Sequence, residues 1–338
     1  MKKLSSILLI ATLAIVLIAP QSYAQRKLAQ TGFQFLSVGI DARATALGEA
    51  FTTVGGTSVA MFYNPAGIAS LSSFIDLSFS TMNWIADIKY NAGTLALNYN
   101  QGRYGVFGLS FLSVDYGQFE WTRVAENEQG FEDIGELLGN PEPNAYMIGL
   151  SYARQLTDRF SVGGQIKYVY QDLGSSFAPV YATDDTVMER KKYDLDVMAF
   201  DFGTLYRTGF KSLVFGMTVR NFSREIKFEK EGFQLPLTFK IGISMNVMDF
   251  LSEINEYHSF IVSVDAVHPR SFSEYLNIGG EYTFMNMISL RAGYITSQDE
   301  YDLSYGFGVR KFGLAVDYSY MPFNVFDDIN RITVRFSF

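Results

Sequence analysis

The sequence predicts an all-β membrane protein: about fourteen antiparallel transmembrane strands closed into a β-barrel, with an N-terminal helical plug in the lumen. Two patterns predict the barrel. Apolar residues alternate with polar or small ones along most of the chain, and the connections between the alternating stretches are long and short in turn. A third pattern predicts the plug, because the first part of the chain does not alternate.

The final nine residues, NRITVRFSF, show the alternation most clearly. Every second position from 332 to 338 is apolar, and the intervening positions are polar or charged. The pattern recurs in SYGFGVR (304–310), YLNIGGEYTF (275–284) and LRAGYI (290–295). The face opposite the apolar one is rich in Gly, Ser, Asn and charged residues, as the lumen of a wide barrel requires. A soluble sandwich would instead turn its apolar face inward.

Fourteen stretches are predicted as strands, near 74–84, 89–100, 104–120, 144–157, 160–173, 192–207, 213–229, 235–250, 258–268, 274–285, 287–298, 301–310, 312–321 and 330–338. The even number agrees with bacterial outer-membrane barrels. Most of the stretches reach the roughly 9–11 residues that a tilted spanning strand needs.

The lengths of the connections support a barrel whose two chain ends face the periplasm, with long connections after odd-numbered strands. The long polar connections, 121–143, 174–191, 223–234 and 322–329, follow the third, fifth, seventh and thirteenth strands. The tight connections TDR, TGFKS, MN and RKF follow the fourth, sixth, tenth and twelfth strands. Connection 251–257 is even-numbered and is longer than this rule expects.

Residues 1–24 are predicted to be a cleaved signal peptide. Lys2 and Lys3 precede an apolar run, 4–19, and Ser22 and Ala24 supply the small residues of a cleavage site. The alternative is a membrane-anchoring helix, but the run is shorter than the about 20 residues of a spanning helix. No Cys lies near the junction, which argues against a lipoprotein.

Composition excludes several classes of protein. Without the two leader lysines the formal charge moves from −8 to −10, a poor match to nucleic acid, whose recognition needs a basic face. The chain has no cysteine, so no disulfide holds the fold. After the leader there is no run of 18 or more apolar residues, so no transmembrane helix is expected.

Residues 25–73 are predicted to form the plug, and 74–338 the barrel. Asp41 is placed to cap a helix from Ala42 to about Phe51, and Asn64 with Pro65 starts a second helix. The lumen of a fourteen-stranded barrel is too wide for wall side chains to fill, so this segment is suited to fill it. The alternative is a periplasmic or disordered arm, and its apolar, Gly-punctuated content argues against disorder.

The end of the chain predicts targeting to the outer membrane of a Gram-negative bacterium. The final strand carries outward aromatic residues and ends on Phe, with Phe336 and Phe338 as the candidate signal for the outer-membrane assembly machinery. The alternative is a core strand that happens to end the chain. The expected surroundings of the barrel are outer-membrane lipid and lipopolysaccharide.

Nothing in the sequence predicts catalysis, a metal or a cofactor. The two histidines, His258 and His268, lie ten residues apart on one predicted strand, about 33 Å at 3.3 Å per residue, so they cannot share a metal. Ser271 and Ser273 lie near His268, but in a predicted surface turn, where Ser is ordinary. We therefore expect that the protein is not an enzyme.

A set of charged residues is predicted to face the lumen on the ninth to thirteenth strands: Asp265, Glu281, Arg291, Arg310 and Asp317. Inward placement is expected in any barrel, because charges facing lipid are costly. The set is either a salt-bridge network that braces the wall or plug, or a polar step in a substrate path.

The N-terminal segment carries a family resemblance. FLSVGIDARATALGEAFTTV (35–54) and SVAMFYNPAGIASL (58–71) resemble the N-terminal signature of the PorV/PorQ family of outer-membrane proteins, and the NPAG element is similar to that of FadL-like transporters. The matching plug residues are Asp41, Arg43, Gly48, Asn64, Pro65 and Gly67. The blocks 235–244, 264–294 and 304–323 agree with the resemblance. Gly55-Gly56 and Phe62-Tyr63 depart from it, and the first departure removes charge near the plug, so no family ion or ligand contact is carried over there.

Three functions follow from these expectations. The PorV/PorQ resemblance implies a type IX secretion component that handles exported proteins, with a secretion translocon or exported cargo as partners. The similarity to FadL implies a plugged channel for small hydrophobic molecules, and a purely structural barrel is the third. The outer loop ENEQGFEDIGELLGNPEPN (126–144) is either a partner contact or simply solvated. The stretches SSFAPVYA (175–182) and MPFNVF (321–326) are compatible with both the secretion role and the channel. The sequence favours the secretion role.

Overall fold

The computed structural model describes residues 31–124, 130–133, 135, 139–181, 184–228, 231–250, 257–297 and 301–338. The predicted signal peptide, 1–24, and the first residues of the predicted plug segment, 25–30, lie outside this part of the chain.

Within the described residues, fourteen strands form one closed antiparallel barrel, which confirms the predicted fold class. The barrel strands are β1 (Ile75–Asn83), β2 (Lys89–Leu97), β3 (Val106–Asp115), β6 (Asn144–Thr157), β7 (Phe160–Tyr181), β8 (Asp184–Arg207), β9 (Val214–Ser223), β12 (Thr238–Asn246), β13 (His258–Pro269), β14 (Tyr275–Phe284), β15 (Ile288–Ile295), β16 (Leu303–Lys311), β17 (Leu314–Met321) and β18 (Ile329–Ser337). The barrel closes where β1 pairs with β18, with Phe79 opposite Val334.

Two of the connections predicted as long loops contain small hairpins outside the barrel. Strands β4 (Thr122–Val124) and β5 (Phe131–Asp133) pair in the first, and β10 (Ile226–Phe228) and β11 (Glu231–Phe233) pair in the second. The short turns and both ends of the barrel lie at one rim, and the hairpins lie at the other. Short turns mark the periplasmic rim of outer-membrane barrels, so the hairpins lie on the extracellular side.

The connection predicted at 174–191 is instead mostly strand. β7 has 22 residues and β8 has 24, about twice the 9–11 that a spanning strand needs, and Ser175 still pairs with Lys192. Gly174, the first residue of the predicted connection, has a φ of 88° and lies at a shift of register in this ladder. A single Gly therefore makes a β-bulge here, and the hairpin continues beyond the barrel.

The segment before β1 lies inside the barrel. It contains one short helix, α1 (Ala42–Ala46), and 3₁₀ turns at Gln34–Ser37, Ser58–Phe62 and Pro65–Ser70. Further 3₁₀ turns lie in the connections, at Ile85–Asp87, Tyr99–Gly102 and Val247–Phe250. None of the helices among the described residues has both the length and the apolar character to cross a membrane.

Helix α1 is shorter than the predicted Ala42–Phe51, and the reason lies in the residues that follow it. Gly48 and Glu49 have φ values of 60° and 62°, the left-handed conformation in which helices commonly end at a Gly. The second predicted helix starts as expected: Asn64 accepts a hydrogen bond from Ala66 N–H at 3.1 Å, and Pro65 is the first helical residue. That helix is a 3₁₀ turn and not an α-helix.

Wall glycines allow the plug to pack against the barrel backbone to backbone. A Cβ built on Gly293 would lie 1.9 Å from the backbone N of Gly48, and one on Gly279 would lie 2.5 Å from the carbonyl O of Leu47. On the far side of the lumen, a Cβ on Gly163 would lie 2.5 Å from the backbone N of Ala66. Such approaches are possible only where the wall residue has no side chain.

The apolar core lies between the plug and the wall, and a second apolar surface faces outward. Phe51 of the plug belongs to one buried cluster with Leu112 of β3, and Met61 belongs to another with Val106. On the opposite face of the wall, side chains such as Leu150 are exposed, which is the arrangement of a lipid-facing band.

Replacing Gly279 by Ala should lower the free energy of unfolding by about 1–3 kcal/mol, because the added methyl would overlap Leu47 of the plug. The neighbouring residue on the same strand, Gly280, points outward, and a Cβ there would meet only the Phe260 ring at 3.4 Å. Gly280→Ala is therefore the matched control and should change stability by less than about 0.5 kcal/mol. Urea unfolding in detergent micelles measures both, and equal losses would contradict the backbone packing described here.

Candidate functional site

Among the described residues, the plug lies between two cavities of the lumen. The outer cavity, on the extracellular side, has a volume of about 340 Å³ and is lined by Trp84, Tyr275, Tyr301 and Arg331 among others. The inner vestibule, at the periplasmic rim, has a volume of about 200 Å³ and is lined mainly by polar and charged residues, Arg43 and Arg335 among them. Both cavities have plug residues in their walls.

Four charged side chains join α1 to the wall at the inner vestibule. Arg43 of the plug donates from Nε and Nη2 to the two carboxylate oxygens of Glu281, at 2.8 and 2.6 Å. Arg291 donates from Nε to Glu281 at 2.5 Å and from Nη1 to Asp317 at 2.7 Å. Charge-assisted pairs of this kind are the strongest hydrogen bonds in proteins. These four residues are called the plug–wall network below.

The remaining two residues of the predicted lumen set lie elsewhere. Asp265 accepts hydrogen bonds from the backbone N–H groups of Phe51 and Thr52, both at 3.0 Å, and from the Thr52 hydroxyl at 2.6 Å. It thus holds the chain that follows α1. Arg310 has the inward position in its strand but lies exposed at the rim, where its Nε donates to the carbonyl O of Asn286 at 3.3 Å.

The plug-motif residues hold the plug together as well as against the wall. Asp41 accepts from Ala44 N–H at 2.8 Å and caps α1. Asn64 donates from Nδ2 to the carbonyl O of Thr52 at 2.8 Å and to that of Thr204, on β8, at 3.1 Å. Asn64 therefore ties the two halves of the motif to each other and to the barrel.

Gly67 completes the second half of the motif. Its carbonyl O accepts from Gly56 N–H at 3.0 Å, and a Cβ on Gly67 would lie 2.7 Å from that of Ala60. The small residue lets the 3₁₀ turn pack on the preceding one. Gly48, Pro65 and Arg43 act as described above, so all six residues quoted for the motif contribute to the conformation or the seating of the plug.

Sequence reasoning missed a buried ion pair on the opposite wall. Lys167 of β7 lies 2.7 Å from Asp201 of β8 and donates to the side-chain O of Asn221. Both charged residues are in predicted strands, and the alternation along those strands could have placed each of them on the inward face. The two predicted strands are neighbours in the barrel, but nothing in the sequence gives the register that brings these two residues together.

The outer cavity was also missed, because its lining comes from the plug and from strands all round the barrel. Arg331 donates from Nε to the carbonyl O of Gly39 at 3.1 Å, and its guanidinium lies 5.3 Å from the centre of the Trp84 ring. Tyr301 and Phe323 stack at 4.7 Å beside Trp84, at the extracellular mouth. The cavity thus combines a buried cation with aromatic faces.

The two histidines lie near opposite ends of one strand, β13. The Nδ1 atom of His258 lies 2.6 Å from the hydroxyl of Tyr282, and that of His268 lies 2.8 Å from a carboxylate oxygen of Glu274. Among the described residues, no three His, Cys, Asp or Glu side chains are grouped so that they could hold a metal ion. The absence of catalysis stays a prediction.

Arg291→Ala should lower the free energy of unfolding by about 3–5 kcal/mol, because it leaves Glu281 and Asp317 buried with less compensation of their charge. Arg310→Ala is the matched control, since that arginine lies exposed on the next strand, and should cost less than about 0.5 kcal/mol. Urea unfolding in micelles measures both. If Arg291→Ala altered only the passage of a solute and not stability, the network would be part of a substrate path.

Asp41 predicts a pH dependence of the plug. Burial raises the pKa of this carboxyl from 3.8 to about 6, and the nearby Asp317 charge adds to the effect. Its stabilising contribution is therefore fully present below pH 3.8 and is lost as pH rises through about 6. Asp41→Asn keeps a capping oxygen without the charge. Relative to wild type, the variant should gain about 3 kcal/mol in unfolding free energy between about pH 4 and 7, and a constant difference would contradict the burial of a charge.

Comparison with known proteins found one matching family and several solved structures of similar fold. Residues 137–326, more than half of the chain, match the family of type IX secretion system membrane proteins PorP/SprF. No curated protein matches the chain in sequence.

Several solved structures share the fold. The toluene transporter TbuX of Ralstonia pickettii is 14% identical, with 89% of this chain and 98% of that one covered and a TM-score of 0.58. The toluene transporter TodX of Pseudomonas putida is 11% identical, with 92% and 98% covered and a TM-score of 0.57. A FadL homologue of Pseudomonas aeruginosa is 12% identical, with 89% and 99% covered and a TM-score of 0.53. At such identities the likeness shows a FadL-like barrel and says nothing of substrate.

The fold and the family match confirm the predicted location in the outer membrane of a Gram-negative bacterium. The family that matches is PorP/SprF, and PorV/PorQ is not the one named. The chain belongs to the PorP/SprF family of type IX secretion system membrane proteins.

Proposed function

We propose that the protein is a type IX secretion component that handles exported proteins at the outer membrane. The observation that carries the proposal is the family match across residues 137–326, which include the strands from β6 to β17. The expected partners are a secretion translocon or exported cargo.

The filled lumen limits how such a role can be performed. The outer cavity, at about 340 Å³, has the size of a small-molecule pocket, and the plug–wall network closes the periplasmic side. An exported protein would therefore be bound at a rim of the barrel and would not be threaded through it.

The extracellular rim offers surfaces for such binding. The hairpin of β7 and β8 extends beyond the barrel, and Val325 and Phe326 are 73% and 48% exposed in the connection before β18. Exposed apolar residues at a rim are a feature of protein contacts. A contact through the loop 126–144 also remains a proposal, and much of that loop lies outside the described residues.

The resemblance to PorV/PorQ belongs to this proposal as well. Its sharpest motifs, 35–54 and 58–71, precede the matched residues 137–326, whereas the blocks 235–244, 264–294 and 304–323 lie within them. We infer that the two groups share the way in which the plug is seated, and that a role of the PorV/PorQ type is compatible with membership of PorP/SprF.

Affinity purification of the tagged protein from cross-linked outer membranes tests the proposal. We expect recovery of a secretion translocon or of exported cargo. The variant with Val325→Ser and Phe326→Ser should reduce that recovery several-fold, since it removes apolar surface from the extracellular rim. Phe312→Ser is the matched control, because Phe312 is 90% exposed in a turn at the periplasmic rim. Bound lipid or hydrocarbon with no protein partner would overturn the secretion role.

A second candidate function is a channel for small hydrophobic molecules. One feature favours it: a lipid-facing groove of about 280 Å³, between β12 and β14, lies on the other side of the wall from the outer cavity, and Tyr275 lines both. A molecule could pass from the cavity to the lipid if Tyr275 moved. The toluene transporters TbuX and TodX share the fold, but at identities that carry no substrate over.

A further inference from the structure

The outer cavity contains buried polar atoms that have no hydrogen-bond partner in the described part of the protein. Arg331 is 1% exposed, and its Nη1 has none, although its Nε donates to Gly39. Asn277, on β14, is also 1% exposed, and neither Oδ1 nor Nδ2 has a partner. Buried polar groups are nearly always satisfied in native proteins, so each such group needs an explanation.

The charges around the cavity are unequal. Its lining contains four cationic side chains, Lys167, Arg220, Lys240 and Arg331, and two carboxylates, Glu49 and Asp201. Lys167 pairs with Asp201 at 2.7 Å, and Asp265, just outside the lining, acts on Lys240, which leaves Arg220 and Arg331 with Glu49. Among the described contacts, Lys240 reaches only the backbone O of Glu49, at 3.4 Å, and the Glu49 carboxylate accepts from the hydroxyl of Thr45 at 2.9 Å. The cavity therefore has a surplus of positive charge, in a chain whose net charge is −8.

The walls beside Arg331 are aromatic. Its guanidinium lies over the Trp84 ring, and Tyr301 packs edge-on against Trp84 with 6.4 Å between ring centres. A guanidinium that lies over an aromatic ring can also donate N–H groups to a planar anion such as a carboxylate. The ring faces nearby suit an apolar or aromatic body attached to that anion.

We propose that the outer cavity binds a small organic carboxylate with an aromatic or short apolar body, with its carboxylate beside the guanidinium of Arg331 and its body against Trp84 and Tyr301. The volume of about 340 Å³ suits a small molecule rather than a long acyl chain. This site goes beyond the secretion role and does not depend on it, since a protein that recovers no translocon can still bind the acid.

The chain carries its own probe for this site. It has two tryptophans, and Trp84 lies in the cavity wall whereas Trp121 lies in the connection between β3 and β4. In the Trp121→Phe background, the emission of Trp84 therefore reports binding beside Arg331. Titrations of the full protein in detergent micelles would use 4-phenylbutyrate and its neutral counterpart, 4-phenylbutan-1-ol.

We expect the acid to bind at least about tenfold more tightly than the alcohol, because a charge-assisted bond forms only with the carboxylate. Arg331→Gln should remove this preference. Arg335→Gln is the matched control: Arg335 lies four residues further along the same strand, also faces inward, and lines the inner vestibule. It should leave the affinity for the acid unchanged.

Arg331→Gln also removes the hydrogen bond to Gly39 and so can loosen the plug. The comparison of acid with alcohol in the unmutated site does not depend on that variant and tests the proposal by itself. Equal affinity for the two compounds, or no change in Trp84 emission with either, would overturn the proposal. So would unaltered preference for the acid in a folded Arg331→Gln variant.

Discussion

The constraint on which the rest of the structure depends is that a sheet crossing a bilayer has no water to satisfy its edges. Every backbone N–H and C=O in the lipid must find a partner within the protein, so the sheet must close. Here β1 and β18 make that closure, with seven paired positions from Asp76 to Met82. Closure with fourteen strands leaves a lumen wider than wall side chains can fill, and here the plug occupies that lumen.

The plug is held by two different kinds of contact. Backbone packs directly on wall glycines such as Gly279 and Gly293, and charged groups join α1 to the wall through Arg43 and Glu281. The first kind sets the distance between plug and wall, while the second sets the position of the helix along the wall. Both kinds of contact act on the short stretch of chain around α1, which lies between the two cavities. The outer cavity is therefore lined partly by aromatic residues, and the inner vestibule mainly by polar and charged ones.

That separation is what distinguishes a secretion-associated barrel of this design from an open pore. The periplasmic side is closed by ion pairs, and the extracellular side keeps an aromatic, cationic cavity beneath an extended hairpin. Under the proposed secretion role, exported proteins would be bound at the rims. The family match identifies the secretion family, and the fold match shows the barrel.

Much of the fold could be predicted because strand parity and turn chemistry are local. The alternation in residues 330–338 gave a strand that the structure has at Ile329–Ser337, and Asn64 with Pro65 starts a helical turn as expected. Where local signals competed, the prediction failed. Gly174 begins the predicted connection 174–191 but forms a bulge within a continuing ladder, and Gly48 ends α1 before the predicted end at about Phe51.

The candidate site could be predicted only in part. Parity placed Glu281, Arg291 and Asp317 on the inner face, but it gave Arg310 the same standing, although Arg310 lies at the exposed rim. The alternation of residues along a strand shows which face a side chain is on, but not how far along the barrel axis it lies. It also does not show which plug residues lie opposite that side chain. By itself, the sequence determined the barrel, its orientation and the presence of a plug, since these follow from patterns of period two and from helix-start residues. Only the tertiary structure decided that Arg43 reaches Glu281, 238 residues away, and that Arg331 lies over Trp84, because such contacts depend on closure of the sheet around the plug.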